Sequence, residues 1–305
     1  MSHRKAVLLM IVVTLLWSSA GVVTRQLEEA RSFEVTFWRS GFNTLFLAAI
    51  LAFQRGTALL SQLRSAPRAV WVSGLAWSVM FTAFMVALTL TSIANVLVTM
   101  ALGPLLTALF SRVFLHHRLP LRTWVAILVG SAGIAWMFGH EFRGGEGMLG
   151  ILVALGVPIA AATNWTVLQH AAGQDDAEPD EPAPANDMPL AVLIGAAISA
   201  LLALPLAWPT HAGAHDLTLL AGLGLFQLAV PCLLVVQVTR VLAGPEVALL
   251  GLLEVIFGVL WAWLLAGENP SSATIVGGAL VLAALVGNEL LAWRTTSRID
   301  GATKA

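Results

Sequence analysis

One carboxylate stands out for its surroundings. Glu254 lies in the middle of the apolar run 245–266, and Gly251, Gly258 and Trp261 recur around it on one face of a helix. Burying an acid among apolar residues is costly, so such a group usually binds a cation, carries a proton or bonds a neighbouring helix. The two glycines on its face predict a close helix approach. Other apolar runs hold polar or amphipathic groups in the same way. These are Trp17 and Ser18, Trp77 and Ser78, Asn95 and Thr99 at i and i+4, Asn164 and Trp165, and Gln227. Aromatic walls with a few amides and hydroxyls suit a flat apolar or zwitterionic small molecule, because rings stack and polar groups orient. The structural alternatives are hydrogen bonds between helices for the amides and hydroxyls, and lipid-facing or interfacial anchoring for the tryptophans.

A second set concerns movement. Arg39 in the run 34–53 reads either as a side chain snorkelling to the surface or pairing with Glu28, Glu29 or Glu34, or as half of an ion-pair gate. Pro104, Pro158 and Pro231 fall inside apolar runs, where proline removes a backbone donor and bends a helix. Each is a hinge candidate or a static kink. Gly130 and Gly133, with Gly277 and Gly278, read as close-packing seams.

The elements that must position these groups follow from composition. The chain has 305 residues, 58% hydrophobic and only 11% charged, against about 25% charged in an ordinary soluble domain. Apolar runs at 6–24, 34–53, 69–89, 94–115, 122–139, 148–170, 189–208, 217–238, 245–266 and 272–292 each suit one crossing of a hydrocarbon core. The first run is too long for a cleavable signal. The break TLTSIAN between the third and fourth runs is the shortest. The expected fold is an all-α integral membrane protein of ten transmembrane helices.

The stretch Gly173 to Pro189 is acidic and proline-rich, without apolar periodicity, and reads as a solvated linker. It leaves five runs on each side when the run 148–170 is counted with the second half. An odd number of crossings per half makes the second half enter the membrane the opposite way up, predicting two inverted five-helix repeats around a central cavity. The corresponding division is 1–172, a linker at 173–188 and 189–305, with the sixth run belonging to the second repeat. Lysine and arginine fall twelve on the N-terminal side and three on the other. That bias places both termini and the linker in the cytoplasm of a bacterial-type inner membrane.

The halves also resemble each other. FLHHRLPLRTWVAILVGSAG from Phe114 matches LLAGENPSSATIVGGALVLA from Leu264, which pairs Pro120 with Pro270 and Pro104 with Glu254. Four further stretches carry a family resemblance. They are TLLWSSAGVVTR around Trp17, FWRSGFN with Arg39, ALTLTSIANVLVTMALGPLLTALF with Pro104, and LLEVIFGVLWAWLLAGENP with Glu254 and Glu268. In order and spacing they resemble the EamA-like ten-span exporters of the drug/metabolite transporter superfamily, similar to its aromatic amino acid exporters. Val255 stands where many members have proline, and Arg118 where the first half often has glutamate. The resemblance implies export of small metabolites by alternating access.

Several classes are excluded or disfavoured. The only lysines are Lys5 and Lys304, so neither a retinal Schiff base nor a phosphate loop of the GxxxxGK type exists. Cys232 is the single cysteine, which rules out an intramolecular disulfide. The histidines lack carboxylate or cysteine companions, so no metal and no cofactor are expected. A net charge of −1 gives no reason to bind nucleic acid. The expected partners are a small-molecule substrate and the bilayer, with the chain acting as a monomer. Its substrate reads as an amino acid, aromatic or otherwise apolar, with Glu254 on the amine and Asn95, Thr99, Asn164 and Gln227 toward the carboxylate. The alternatives are efflux of drug-like cations, an intramembrane enzyme and a non-transporting sensor.

Overall fold

A computed structural model describes residues 1–30, 32–91, 93–139, 147–177, 187–266 and 271–302. All secondary structure there is helical. The helices are α1 (His3–Trp17), α2 (Ala20–Thr24), α3 (Ser32–Arg55), α4 (Ala58–Arg64), α5 (Arg68–Leu90), α6 (Ile93–Met100), α7 (Gly103–Phe114) and α8 (Leu121–Phe138). They continue with α9 (Met148–Ala177), α10 (Met188–Ala207), α11 (Ala214–Gly222), a π-helical segment Leu223–Ala229, α12 (Val230–Val238), α13 (Gly244–Gly251), α14 (Leu253–Ala266) and α15 (Ser272–Ala302). Among the described residues, nine helical stretches are long and apolar enough to cross a membrane, and a shorter apolar stretch, Ser272–Asn288, opens α15. Large apolar side chains such as Phe53, Leu121 and Leu201 lie exposed along the outside, a surface suited to lipid tails and not to water. The ten stretches are numbered one to ten in chain order and called crossings for short, the tenth being the shorter stretch.

Eight crossings close a ring in the order three, six, four, nine, one, eight, two, seven and back to three. Crossings five and ten pack on each other outside it, along the four–nine side. Glycine sets several of these seams. A methyl group at Gly133 would meet the Gly277 carbonyl at 2.7 Å, and one at Gly277 would strike Gly133 and Met137 in return. Gly74 and Gly195 do the same where α5 crosses α10. Small residues let the backbones touch, and dispersion over that contact replaces the hydrophobic drive that lipid cannot supply.

The ends of some helices differ from the sequence-based boundaries. α9 continues to Ala177, into the stretch read as linker, and α15 reaches Ala302. Residues 178–186, with most of the acidic linker, and Glu268 and Pro270 lie outside the described residues.

Three crossings are interrupted. Crossing one breaks after Trp17, where the Ser18 and Ser19 hydroxyls donate to the Leu15 and Leu16 carbonyls, both at 2.7 Å. Crossing four breaks at Ala101–Leu102, and Ser131 Oγ donates to the Ala101 carbonyl at 2.7 Å. Crossing nine breaks at Leu252, which separates α13 from α14. A hydroxyl is the cheapest partner for a carbonyl released inside a membrane.

Candidate functional site

The prolines show how sequence makes these breaks. Pro104 sits in the first turn of α7, where its missing N–H is no loss, so it starts a half-helix instead of bending a continuous one. Pro231 likewise opens α12, directly after the π-helical segment. Its ring would clash with the carbonyl four residues back, at Gln227, and the extra residue per turn of a π-helix relieves that clash. Pro158 lies inside α9, which runs through it without interruption.

Glu254 is not mid-helix as its run suggested. It occupies the first turn of α14, where backbone N–H groups and the helix dipole favour negative charge. Pro104 holds the same place in α7: each is the second residue of its half-helix. Glu254 is partly buried, and it stands within electrostatic reach of Arg39 and Cys232 without a direct ion pair. Gly251 and Gly258, expected to admit a close helix, face open space: a methyl group at either would meet nothing within 4 Å. Trp261 on the same face donates its indole N–H to Ser18 Oγ at 3.0 Å. The face therefore meets crossing one, its neighbour in the ring, and leaves open space beside Gly258.

Crossing one supplies the neighbouring wall. The Trp17 carbonyl accepts from Gln227 Nε2 at 3.4 Å. Trp17, Ser18, Gln227, Glu254 and Trp261 thus converge, joined by Cys232 and Arg39.

Arg39 departs from its sequence-based readings. It neither snorkels nor pairs with Glu28, Glu29 or Glu34; it is 3% exposed, and its Nη2 donates to the Phe81 carbonyl at 3.3 Å. Glu34 is occupied elsewhere, accepting from the backbone N–H groups of His211 and Ala212, both at 2.7 Å.

The other expected cavity residues form separate groups. Trp77 and Trp165 meet edge to face at 5.7 Å, and Ser73 donates to Asn164 Oδ1 at 2.6 Å. With Ser78 they are buried where crossings three, six and seven pack. Asn95 and Thr99 bond within their own helix region, Asn95 Nδ2 to Thr91 Oγ1 and Thr99 Oγ1 to the Asn95 carbonyl, each at 2.7 Å.

Sequence reasoning passed over several residues that the structure makes prominent. Asp216, 1% exposed, accepts from the backbone N–H groups of Glu28, Glu29 and Ala30 at 3.0, 2.9 and 2.8 Å. Together with Glu34 it ties the chain before crossing two to the chain before crossing eight, around a cavity of about 860 Å³ lined by Glu28, Glu29, Ala30, Pro209, Thr210 and His211. At the other end Asp187 binds the Arg55 guanidinium through two contacts, Nη2 to Oδ1 being 3.0 Å. Their signal was position alone, since each acid stands at the start of a crossing. Among the described residues no group of three or more metal-ligating side chains gathers.

A family model described as the EamA-like transporter family matches the chain twice, over residues 4–139 and 148–288. The chain belongs to the EamA-like transporter family. The Pseudopaline exporter CntI of Pseudomonas aeruginosa, from strains UCBPP-PA14 and PAO1, is 26% identical over 262 residues, covering 83% of this chain and 84% of the relative. A solved crystal structure superposes with a TM-score of 0.74 at 24% identity, covering 95% of this chain and 99% of that one, and so shares the fold. The EamA-like protein is a multi-pass membrane transporter. The residues at its ring centre are the place to look for what it carries.

Proposed function

We propose that this EamA-like protein exports small amino-acid-like metabolites across the inner membrane by alternating access. The observation that carries the reading is an acid, Glu254, and a base, Arg39, within electrostatic reach but unpaired, in a site walled by Trp17 and Trp261. An unpaired acid and base in a low-dielectric site suit a zwitterion, whose two charges complement theirs at once. The aromatic walls favour an apolar side chain on it. The relative named for exporting pseudopaline supports the direction of transport.

The proposed architecture is ten crossings in two inverted repeats, divided at 172 and 188 with crossing six in the second repeat, both termini cytoplasmic. Two findings support it. Every contact of the ring maps onto a ring contact when crossing n is exchanged for n+5, two–seven and four–nine onto themselves, and the family model matches once per half. The interrupted crossings one, four and nine then rock against the unbroken ones, uncovering Glu254 to each side in turn.

The test is uptake and counterflow of a radiolabelled amino-acid panel in proteoliposomes of the purified protein, repeated with Glu254→Gln. Saturable transport of aromatic or branched amino acids, lost in the variant while its melting temperature holds, is the expected result. A preference for lipophilic cations over zwitterions would replace the amino-acid reading with drug efflux, which the same acid and tryptophans could serve. Undiminished transport by Glu254→Gln would make that carboxylate structural.

A further inference from the structure

Several buried polar atoms lack a hydrogen-bond partner among the described residues, Trp77 Nε1 and Asn164 Nδ2 at the seam of crossings three and six among them, and four of these atoms belong to Arg39, Asn43 and Gln227. Asn43 is fully buried, and neither its Oδ1 nor its Nδ2 has a hydrogen-bond partner among the described residues. Arg39, four residues earlier on the same face of α3, has an equally unpartnered Nε. The π-helical segment presses on this face. A methyl group at Gly224 would lie 2.9 Å from the Asn43 backbone nitrogen and 3.1 Å from the Arg39 carbonyl. Three residues on in that segment, Gln227 places its Nε2 on the Trp17 carbonyl and leaves its Oε1 unpartnered. A native interior pairs nearly all such atoms, and a bilayer offers no water to do so from outside. Three adjacent side chains with free hydrogen-bonding capacity mark a place that something else completes.

We infer that Arg39 and Asn43 form the subsite for the substrate's carboxylate, which deepens the zwitterion reading above and rests on it. Arg39 offers Nε–H and Asn43 offers Nδ2–H, two donors suited to the two oxygens of a planar carboxylate. The Asn43 and Gln227 carbonyl oxygens accept N–H groups of the same ligand, with Glu254 across the ring facing its ammonium. The π-helical segment is the cover, and Gln227 tethers it to the carbonyl at the break of crossing one, so displacing that half-helix releases the segment from the subsite. The closed spot is thus a state in which the donors await their ligand, and a carboxylate that binds only once they are uncovered shifts the population toward the open one.

The experiment compares wild type with Asn43→Leu, an apolar replacement of similar volume that removes the amide without leaving an orphan. Transport of L-phenylalanine and of phenethylamine, the same molecule without its carboxylate, is measured in proteoliposomes. The expected result is a loss of about tenfold or more in kcat/KM for phenylalanine, as for one hydrogen bond to a charged group, with phenethylamine changed less than about twofold. Equal losses for both would mean a packing role and overturn the proposal; so would no loss for either. If wild type carries neither compound, the zwitterion reading fails by itself, and a second readout decides the subsite. Stabilisation of the purified wild type by phenylacetate, absent in Asn43→Leu and absent with phenethylamine, supports a carboxylate site; no difference between the two proteins overturns it.

Discussion

Crossings two and seven and crossings one, four and nine are built on opposite plans within one ring. Two and seven are single uninterrupted helices held together at three levels. Glu34 holds the chain after α10 at one end, Arg55 binds Asp187 at the other, and Ser40, Ser199 and Thr82 share hydroxyl bonds of 3.0 and 2.9 Å between them. Crossings one, four and nine are each cut into half-helices, and single contacts such as Trp261 to Ser18, Ser131 to Ala101 and His3 to Glu246 at 2.8 Å steady them. Burial separates the extremes only: 56% of the apolar window of crossing seven is buried against 28% in crossing one, while crossings two and four are alike at 39%. Motion is inexpensive where backbone bonds are already interrupted and few contacts must be remade. On the proposed rocking mechanism, crossings two and seven are the strut and crossings one, four and nine carry the hinges.

The most decisive way to break that assignment is to lock each side in turn. A methyl group at Gly244 would lie 3.3 Å from Thr107 Cγ2, across the seam of crossings four and nine. Oxidising Thr107→Cys/Gly244→Cys should abolish transport, reversibly on reduction. The hydroxyls of Ser40 and Ser199 are 3.0 Å apart, and oxidising Ser40→Cys/Ser199→Cys should leave transport within about twofold, because it joins parts that do not separate. Transport blocked by the second pair and spared by the first would invert the comparison.

A smaller effect is expected on stability. Asp216→Ala strips three backbone N–H groups of their acceptor, and a melting temperature lower by several degrees is expected, read by thermal unfolding in detergent. Next come two glycines of opposite surroundings. Gly195→Ala forces a methyl group onto the Trp77 side chain and the Gly74 carbonyl and should cost about 1–3 kcal/mol. Gly258→Ala meets nothing within 4 Å and should leave stability unchanged while altering the KM of whatever fills the space beside Glu254. Ser199→Ala should cost only about 1 kcal/mol, since it removes two hydroxyl bonds between membrane helices, each usually worth about 0.6 kcal/mol.

Much of the ring was legible because crossing a bilayer imposes length and hydropathy on each helix. Glu254 announced itself because an acid in an apolar run has few structural uses. Its register with Pro104 could be read from the repeat alone, and the structure gives both the same place in a half-helix. The partition of the remaining polar residues was not legible. Trp77 and Trp165 looked like Trp17 in sequence, yet they fill a seam, because helical periodicity gives a face without saying what the face meets. Arg39 looked superficial because its depth depends on where α3 starts, and its acids were claimed by backbone groups on another loop. Asn43 carried no signal of its own; its burial without a partner exists only once α3 and the π-helical segment are laid together.

Asp216 and Glu34 grip five peptide N–H groups and, among the described residues, no side chain. A clasp of that kind is blind to the identity of the residues it holds. The side chains at 28–30 and 211–212 are free to change as long as each position keeps its amide hydrogen. Proline is the one replacement such loops cannot absorb.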